Sequence, residues 1–359
     1  MPGRIIIADV ALKAPFPYFG GKRRVAAKVW AALGEVDNYV EPFAGSLAVL
    51  LARQDDRWQT GAETVNDADS YLSNFWRALS AAPDEVAKHC DWPVNETDLL
   101  ARHLWLVNEG KSRIERMESD PEFYDAKVAG WWVWGIDAWI GSGWCSGTGP
   151  WRNVDGVVTC EGSAGRGVNR QLPHLGSAGQ GVNRKLPLLA GEYSCERGPT
   201  AREDLCDYFQ SLATRLRRVR VCCGDWSRVV TNGAMAYGDT VGVFLDPPYL
   251  GDVRTKDLYR VDNHSIANGV REWAIANGNN KRLRIVLAGY EEEHAAKMPP
   301  DWRMFAWSGN KSYGTSAAVG CKTGNDANRH NERLWFSPHC LTAESGGLFA
   351  APYITEGTP

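Results

Sequence analysis

The stretch VGVFLDPPYL, residues 241–250, closes an apolar run with one carboxylate, two prolines and an aromatic ring. Val241, Val243 and Phe244 suit a buried strand, and Pro247 cannot continue a strand's hydrogen-bond ladder. Asp246 is therefore expected at the carboxyl end of a central strand, where open α/β sheets gather ligands. Each proline also removes a backbone N–H and fixes φ. Asp246, Pro247, Pro248 and Tyr249 together offer acceptors beside an aromatic face. A guest carrying N–H donors on a flat ring matches them.

Four other stretches carry chemistry of the same scale. In PYFGGK, Pro17–Lys22, two glycines permit close backbone approach and Lys22 offers a charge for a carboxylate or phosphate; a solvated lysine after a glycine turn is the plainer alternative. In VEPFAGSLAVLLA, residues 40–52, a strand runs into a turn at Gly45 and Ser46 and then into an apolar helix. This is neither a phosphate loop nor a GxGxxG, and simple strand–turn–helix packing also explains it. In TVNDADS, residues 64–70, an acid lies about twenty residues past the glycine turn, where a ribose is commonly held. Asp67 fits, Asp69 competes, and a helix N-cap before Tyr71 is the structural alternative. In CCGDWSRVV, residues 222–230, Asp225 and Trp226 combine an acceptor with a ring plane, or form a turn acid with a core tryptophan.

The elements that must position these residues follow from periodicity. Strands are expected at Asn38–Glu41, Glu63–Asn66, Val219–Cys223, at the run ending on Asp246, and at Arg284–Ala288. Closing strands are expected near Trp302–Trp307 and Arg333–Ser337. Helices are expected at Leu47–Arg53, Ser70–Leu79, 202–218 and Ser265–Asn277, with a helical stretch over 84–140. Alternating strands and helices favour a largely parallel sheet covered on both faces. Residues 141–200 are rich in Gly, Ser, Asn and Arg. They hold a direct repeat, GSAGRGVNRQLPHL at 162–175 followed by GSAGQGVNRKLPLL at 176–189.

The 359 residues allow about two domains. Apolar content of 44% and charged content of 23% are those of an ordinary globular chain. A net charge of −3 gives no global nucleic-acid signature, so any basic surface must be local. The apolar run near the N-terminus is too short for a signal peptide or a membrane span, and no later run reaches about 18 residues. Nine cysteines without CxxC pairs read as reduced thiols in a cytoplasm. The seven histidines show no metal-ligand spacing, so no metal site is expected.

In this order, the five stretches resemble the DNA adenine methylase (Dam) family, the D12 class of N6-adenine-specific DNA methyltransferases. Its signature is Asp, Asn or Ser followed by Pro-Pro and an aromatic. The resemblance implies a Rossmann-like α/β fold of seven mostly parallel strands that binds S-adenosyl-L-methionine. It implies a catalytic domain over 1–79 and 202–342, an inserted helical and loop-rich target-recognition domain over 80–201, and a tail over 343–359. It sets Tyr18, Phe19 and Lys22 at the cofactor's methionine end and Phe43 and Gly45 against its body. Asp67 falls on the ribose, Asp225 and Trp226 around the adenine, and Asp246–Tyr249 on the target base. One departure is Leu47, which stands where the family's turn usually has a second glycine. Leucine resists positive φ, so a differently bent loop is expected.

The chemistry implied is methyl transfer to the N6 amine of a flipped adenine in double-stranded DNA. Two acceptors, the Asp246 carboxylate and the Pro247 carbonyl, would free the amine's lone pair, and Tyr249 would stack on the base. The insertion is the expected DNA reader: Arg166, Asn169, Arg170, Asn183, Arg184 and Lys185 in the repeat suit base edges or, alternatively, phosphates. The six tryptophans of residues 131–151 are expected mostly in the core, with one available as a wedge into the base stack. Other readings are an N4-cytosine or RNA N6-adenine methyltransferase, or a silent nucleic-acid-binding protein of the same fold. No membrane partner is expected, and association with a restriction nuclease is left open.

Overall fold

The computed structural model describes residues 12–16, 18, 22–120, 122–139, 144–145, 151–154, 157–160, 201–248, 264–307 and 332–342. Nine strands occur among them: β1 Asn38–Glu41, β2 Ala62–Asp67, β3 Trp151–Val154, β4 Val157–Cys160, β5 Val219–Cys223, β6 Val241–Leu245, β7 Leu283–Tyr290, β8 Arg303–Ala306 and β9 Glu332–Phe336. The helices are α1 Arg23–Leu33, α2 Ser70–Ala81, α3 Pro83–Cys90, α4 Glu96–Trp105, α5 Lys111–Ile114, α6 Ala126–Ala138, α7 Ala201–Leu216, α8 His264–Asn277 and α9 Glu291–His294.

Seven strands form one sheet in the order β5-β2-β1-β6-β7-β9-β8. The first five run parallel, and β9 is antiparallel to both of its neighbours. The chain leaves β1 toward β2 and β5 on one side, and later returns to place β6 and β7 on the other. The order therefore reverses between β1 and β6, and a crevice opens at their carboxyl ends. Both strands are buried along their whole length, as a doubly covered parallel sheet requires. Alternate residues serve opposite faces: Tyr39 and Phe244 enter one apolar cluster, while Val40, Val241, Val243 and Leu245 enter the other.

Helix α2 starts where Asp69 accepts the Tyr71 N–H at 2.9 Å and buries Leu72, Phe75, Trp76 and Leu79 against the sheet's first face. Helix α6 starts on Asp125, which accepts the Val128 N–H at 2.9 Å. Gly130 lets α6 lie close on α3, since a Cβ there would stand 2.4 Å from the His89 Cβ. Helices α3 and α6 thus add Val86, Ala87, Val128, Trp132 and Val133 to the cluster that also holds α2 and α7. Of the tryptophans, Trp132 and Trp134 are buried, while Trp131, Trp139 and Trp144 are partly so. The Arg102 guanidinium lies 4.2 Å from the Trp134 ring and 4.9 Å from the Trp131 ring.

The expected helix over Leu47–Arg53 does not form. Turns lead into a single 3-10 turn, Leu50–Ala52. Leu47, Val49, Leu50 and Leu51 are all buried, and an unbroken apolar run does not distinguish a helix from a packed loop. Leu47 also takes φ +54°, which is incompatible with a helical start. The turn has the left-handed backbone that a glycine would supply, and burial of the Leu47 side chain offsets a cost of about 1–2 kcal/mol. The resistance of leucine to positive φ is therefore overcome here by packing.

Candidate active site at the strand switch point

Two parallel strands end at the switch point in the same local pattern, a carboxylate followed by proline. β1 ends on Glu41 before Pro42, and Asp246 with Pro247 follows β6. Lys22, just before α1, reaches across so that its Nζ lies 2.9 Å from Asp246 Oδ2; the Asp246 side chain is 18% exposed and that of Lys22 is buried. The same ammonium lies 5.9 Å from the centre of the Trp307 ring. Trp307 donates its backbone N–H to the carbonyl of Glu332 at 3.2 Å, and Glu332 pairs with Tyr290 at the carboxyl end of β7. Asp246 and Glu332 therefore share the neighbourhood of Lys22, and Glu41 lies close enough to Asp246 to feel its charge.

Their electrostatics reflect that crowding. Burial pushes the Glu41 carboxyl up to about 8, with Asp246 adding to the rise and the Tyr39 hydroxyl, which donates to Glu41 at 2.9 Å, opposing it. Burial also raises Glu332, with Lys22 opposing and Asp246 adding. Neither Glu41 nor Glu332 was singled out from sequence. Glu41 could have been, because its strand-end Glu-Pro has the form of Asp246-Pro247; nothing local marks Glu332.

Beside this cluster lies the glycine turn. Gly45 takes φ +47°, and a Cβ there would stand 2.7 Å from the Tyr18 ring, so Tyr18 packs directly on the turn. The Gly45 N–H donates to Asp67 Oδ2 at 3.0 Å, and its carbonyl accepts the Trp76 indole N–H at 3.1 Å. Asp67 Oδ1 accepts the Asp69 N–H at 2.9 Å. Burial pushes Asp67 up to about 6, assisted by the Asp69 charge and opposed by these N–H groups. The two candidate acids have separate places: Asp69 caps α2, and Asp67 ties the end of β2 to the turn after β1.

On the far side of β2, Asp225 caps a 3-10 turn, Trp226–Val229, by accepting the Ser227 N–H at 2.9 Å. The Trp226 ring stacks with Phe43, centroids 6.2 Å apart and planes 29° from parallel. The pair is already at stacking separation, so a nucleobase would lie against it and not between the rings. The structure thus gathers Tyr18, Lys22, Phe43, Gly45, Asp67, Asp225, Trp226, Asp246, Pro247 and Pro248 on the carboxyl ends of β1, β2, β5 and β6. Phe19, Tyr249 and the repeat residues Arg166, Asn169, Arg170, Asn183, Arg184 and Lys185 lie outside the described residues.

Among the described residues, no group of three or more His, Cys, Asp or Glu side chains is placed to hold a metal ion, and no helix is long and apolar enough to cross a membrane. No curated protein matches the chain. Residues 18–115, which carry Tyr18, Lys22, Phe43, Gly45 and Asp67 but not Asp246, match the family model of D12 class N6 adenine-specific DNA methyltransferase.

Proposed function

We propose that the chain is an S-adenosyl-L-methionine-dependent DNA methyltransferase acting on the N6 amine of a flipped adenine. The observation that carries this reading is Asp246, a carboxylate at the switch point backed by two prolines. The family match over residues 18–115 supports it from the other half of the crevice. The residues present fit a purine nucleoside. Tyr18 packs on the Gly45 turn and, with the Phe43–Trp226 pair, offers ring faces beside it. Asp67 accepts the backbone N–H groups of Gly45, Ala68 and Asp69 and, with about four lone-pair sites, keeps one for a ribose hydroxyl. When bound, S-adenosyl-L-methionine supplies an electrophilic methyl group.

The rest is the work of this chain. Asp246 and the Pro247 carbonyl accept the two amine N–H groups and turn the nitrogen lone pair away from the ring. The charge on Asp246 opposes the positive charge that grows on N6. The prolines hold both acceptors without reorganisation, a positioning effect of several kcal/mol. A base stacked in duplex cannot reach this depth, so it must be extruded. Tyr249 then serves as a stacking face. The insertion over 80–201, with its Arg- and Asn-bearing repeat, is the part we assign to reading DNA.

The test is to incubate the full chain with duplex DNA and methyl-labelled S-adenosyl-L-methionine, then digest to nucleosides. Label in N6-methyldeoxyadenosine is expected. Label on cytosine N4, label only on RNA, or no transfer at all would overturn the reading.

A further inference from the structure

The mouth of the crevice contains a carboxylate that the proposed chemistry does not use. Glu332 Oε2 is buried and has no hydrogen-bond partner among the described residues. A buried acceptor without a donor is costly and persists where something offsets the cost. Among the described residues two cations stand nearby, and both are engaged elsewhere: Arg333 donates to the Glu332 carbonyl at 3.0 Å and pairs with Glu291, and Lys22 Nζ is 2.9 Å from Asp246 Oδ2. That engagement sits badly with catalysis. An ammonium in contact with Asp246 compensates the very charge that should oppose the charge developing on the substrate amine. It also occupies acceptor capacity that an amine N–H needs.

We propose that Glu332 is a second seat for Lys22, and that the lysine passes from Asp246 to Glu332 when an exocyclic amine takes its place on Asp246. This rests on the methyltransferase reading for its purpose, though not for its geometry. Lys22 is close enough for its charge to act on Glu332, and an aromatic ring lies between them in the chain of contacts. The Trp307 ring lies 5.9 Å from Nζ, close enough to hold a cation in passage, and the Trp307 backbone is bonded to Glu332. Lysine suits the task because its ammonium is a compact charge on a four-carbon stem with rotatable donors. After the handover Asp246 faces the amine with its full charge, Glu332 gains its donor, and no ammonium is left buried and unpaired. Glu332 is thus a positioning residue, acting on the reacting amine only through Lys22.

Two experiments test it. In a crystal structure of Asp246→Asn, which removes the charge at the first seat, Lys22 Nζ should lie within hydrogen-bond distance of Glu332 Oε2. A lysine still directed at residue 246, or turned to solvent, overturns the proposal. In single-turnover methylation, Glu332→Gln should slow the chemical step about tenfold while DNA and S-adenosylhomocysteine affinities stay within about twofold, with Glu332→Asp restoring part of the rate. A wild-type rate in Glu332→Gln, or a loss confined to affinity, also overturns it. If the wild-type chain transfers no methyl group, the functional reading falls alone, because the Asp246→Asn structure still decides where the lysine sits.

Discussion

Two buried charge clusters sit on one sheet and are built to opposite plans. Near the start of β2, Glu63 meets two arginines: Arg215 Nη2 donates to Oε1 at 2.9 Å and Arg53 Nη1 to the same oxygen at 3.2 Å, while Arg215 Nη1 holds Oε2. Arg53 also pairs with Asp55 and donates to the Val36 carbonyl at 2.8 Å, and Arg215 donates to the Leu50 carbonyl at 3.1 Å. Two positive charges answer two negative ones, with multidentate geometry. At the carboxyl ends of β1 and β6, Asp246 and Glu332 share one lysine among the described residues, Glu41 beside Asp246 is pushed up to about 8, and Glu332 Oε2 has no hydrogen-bond partner among the described residues. A matched buried cluster ties elements together. An unmatched one stores electrostatic stress, and stress of that kind gathers where charge must move.

The contrast predicts that the two clusters fail differently. The largest effect is expected at the unmatched one: Asp246→Ala should lower methyl transfer by at least about a hundredfold with an unchanged far-ultraviolet circular dichroism spectrum. Turnover within a factor of ten of wild type would dissolve the contrast. At the matched cluster, Glu63→Ala leaves the buried Arg215 guanidinium without its acid and Arg53 with Asp55 alone, and should cost about 3–5 kcal/mol of stability in urea unfolding. Transfer at a permissive temperature should survive it.

A titration sharpens the same point. The folded pKa of Glu41 lies above its ordinary value, so the stability it contributes is full below about pH 4.5 and is lost as pH rises toward 8. Asp67 behaves alike but is spent by about pH 6. Buried His294, lowered to about 4, acts in the opposite sense and only below about 6.5. Between pH 6.5 and 8 neither of these contributes, but buried Asp137, raised well above its ordinary value, acts in the same sense as Glu41, so Glu41 is read from the difference between wild type and its variant. Across that window wild type should lose about 2 kcal/mol more than Glu41→Gln; equal slopes would remove Glu41 from the unmatched cluster. The smallest effect is expected at the turn: Gly45→Ala, forced to φ +47° against the Tyr18 ring, should cost about 1–2 kcal/mol, read as a shift in the urea midpoint.

Much of this was legible along the chain. The strand at Asn38–Glu41 and the strand at Val219–Cys223 occur at the expected residues, because β-branched and aromatic runs bounded by Gly, Pro or Asp specify a buried strand within a few residues. Asp246 and Asp67 were readable as strand-end acids for the same reason. The apolar stretch after Gly45 was not, since its backbone is set by what Leu47 packs against. A left-handed leucine is disfavoured locally and is held only by its surroundings.

The sequence by itself determined the alternation of strands and helices, the two carboxylate–proline strand ends, the aromatic and acidic residues of the switch-point crevice, and the glycine turn between them. Each depends on neighbours two to five residues away, which a linear pattern encodes. Only the tertiary structure decided that Lys22 belongs to Asp246, that Glu332 Oε2 has no hydrogen-bond partner among the described residues, and that Asp67 fastens β2 to the Gly45 turn. Those relations come from which strands lie side by side and how deeply each charge is buried. Coulomb energy depends on distance and dielectric, and neither is written in the order of residues.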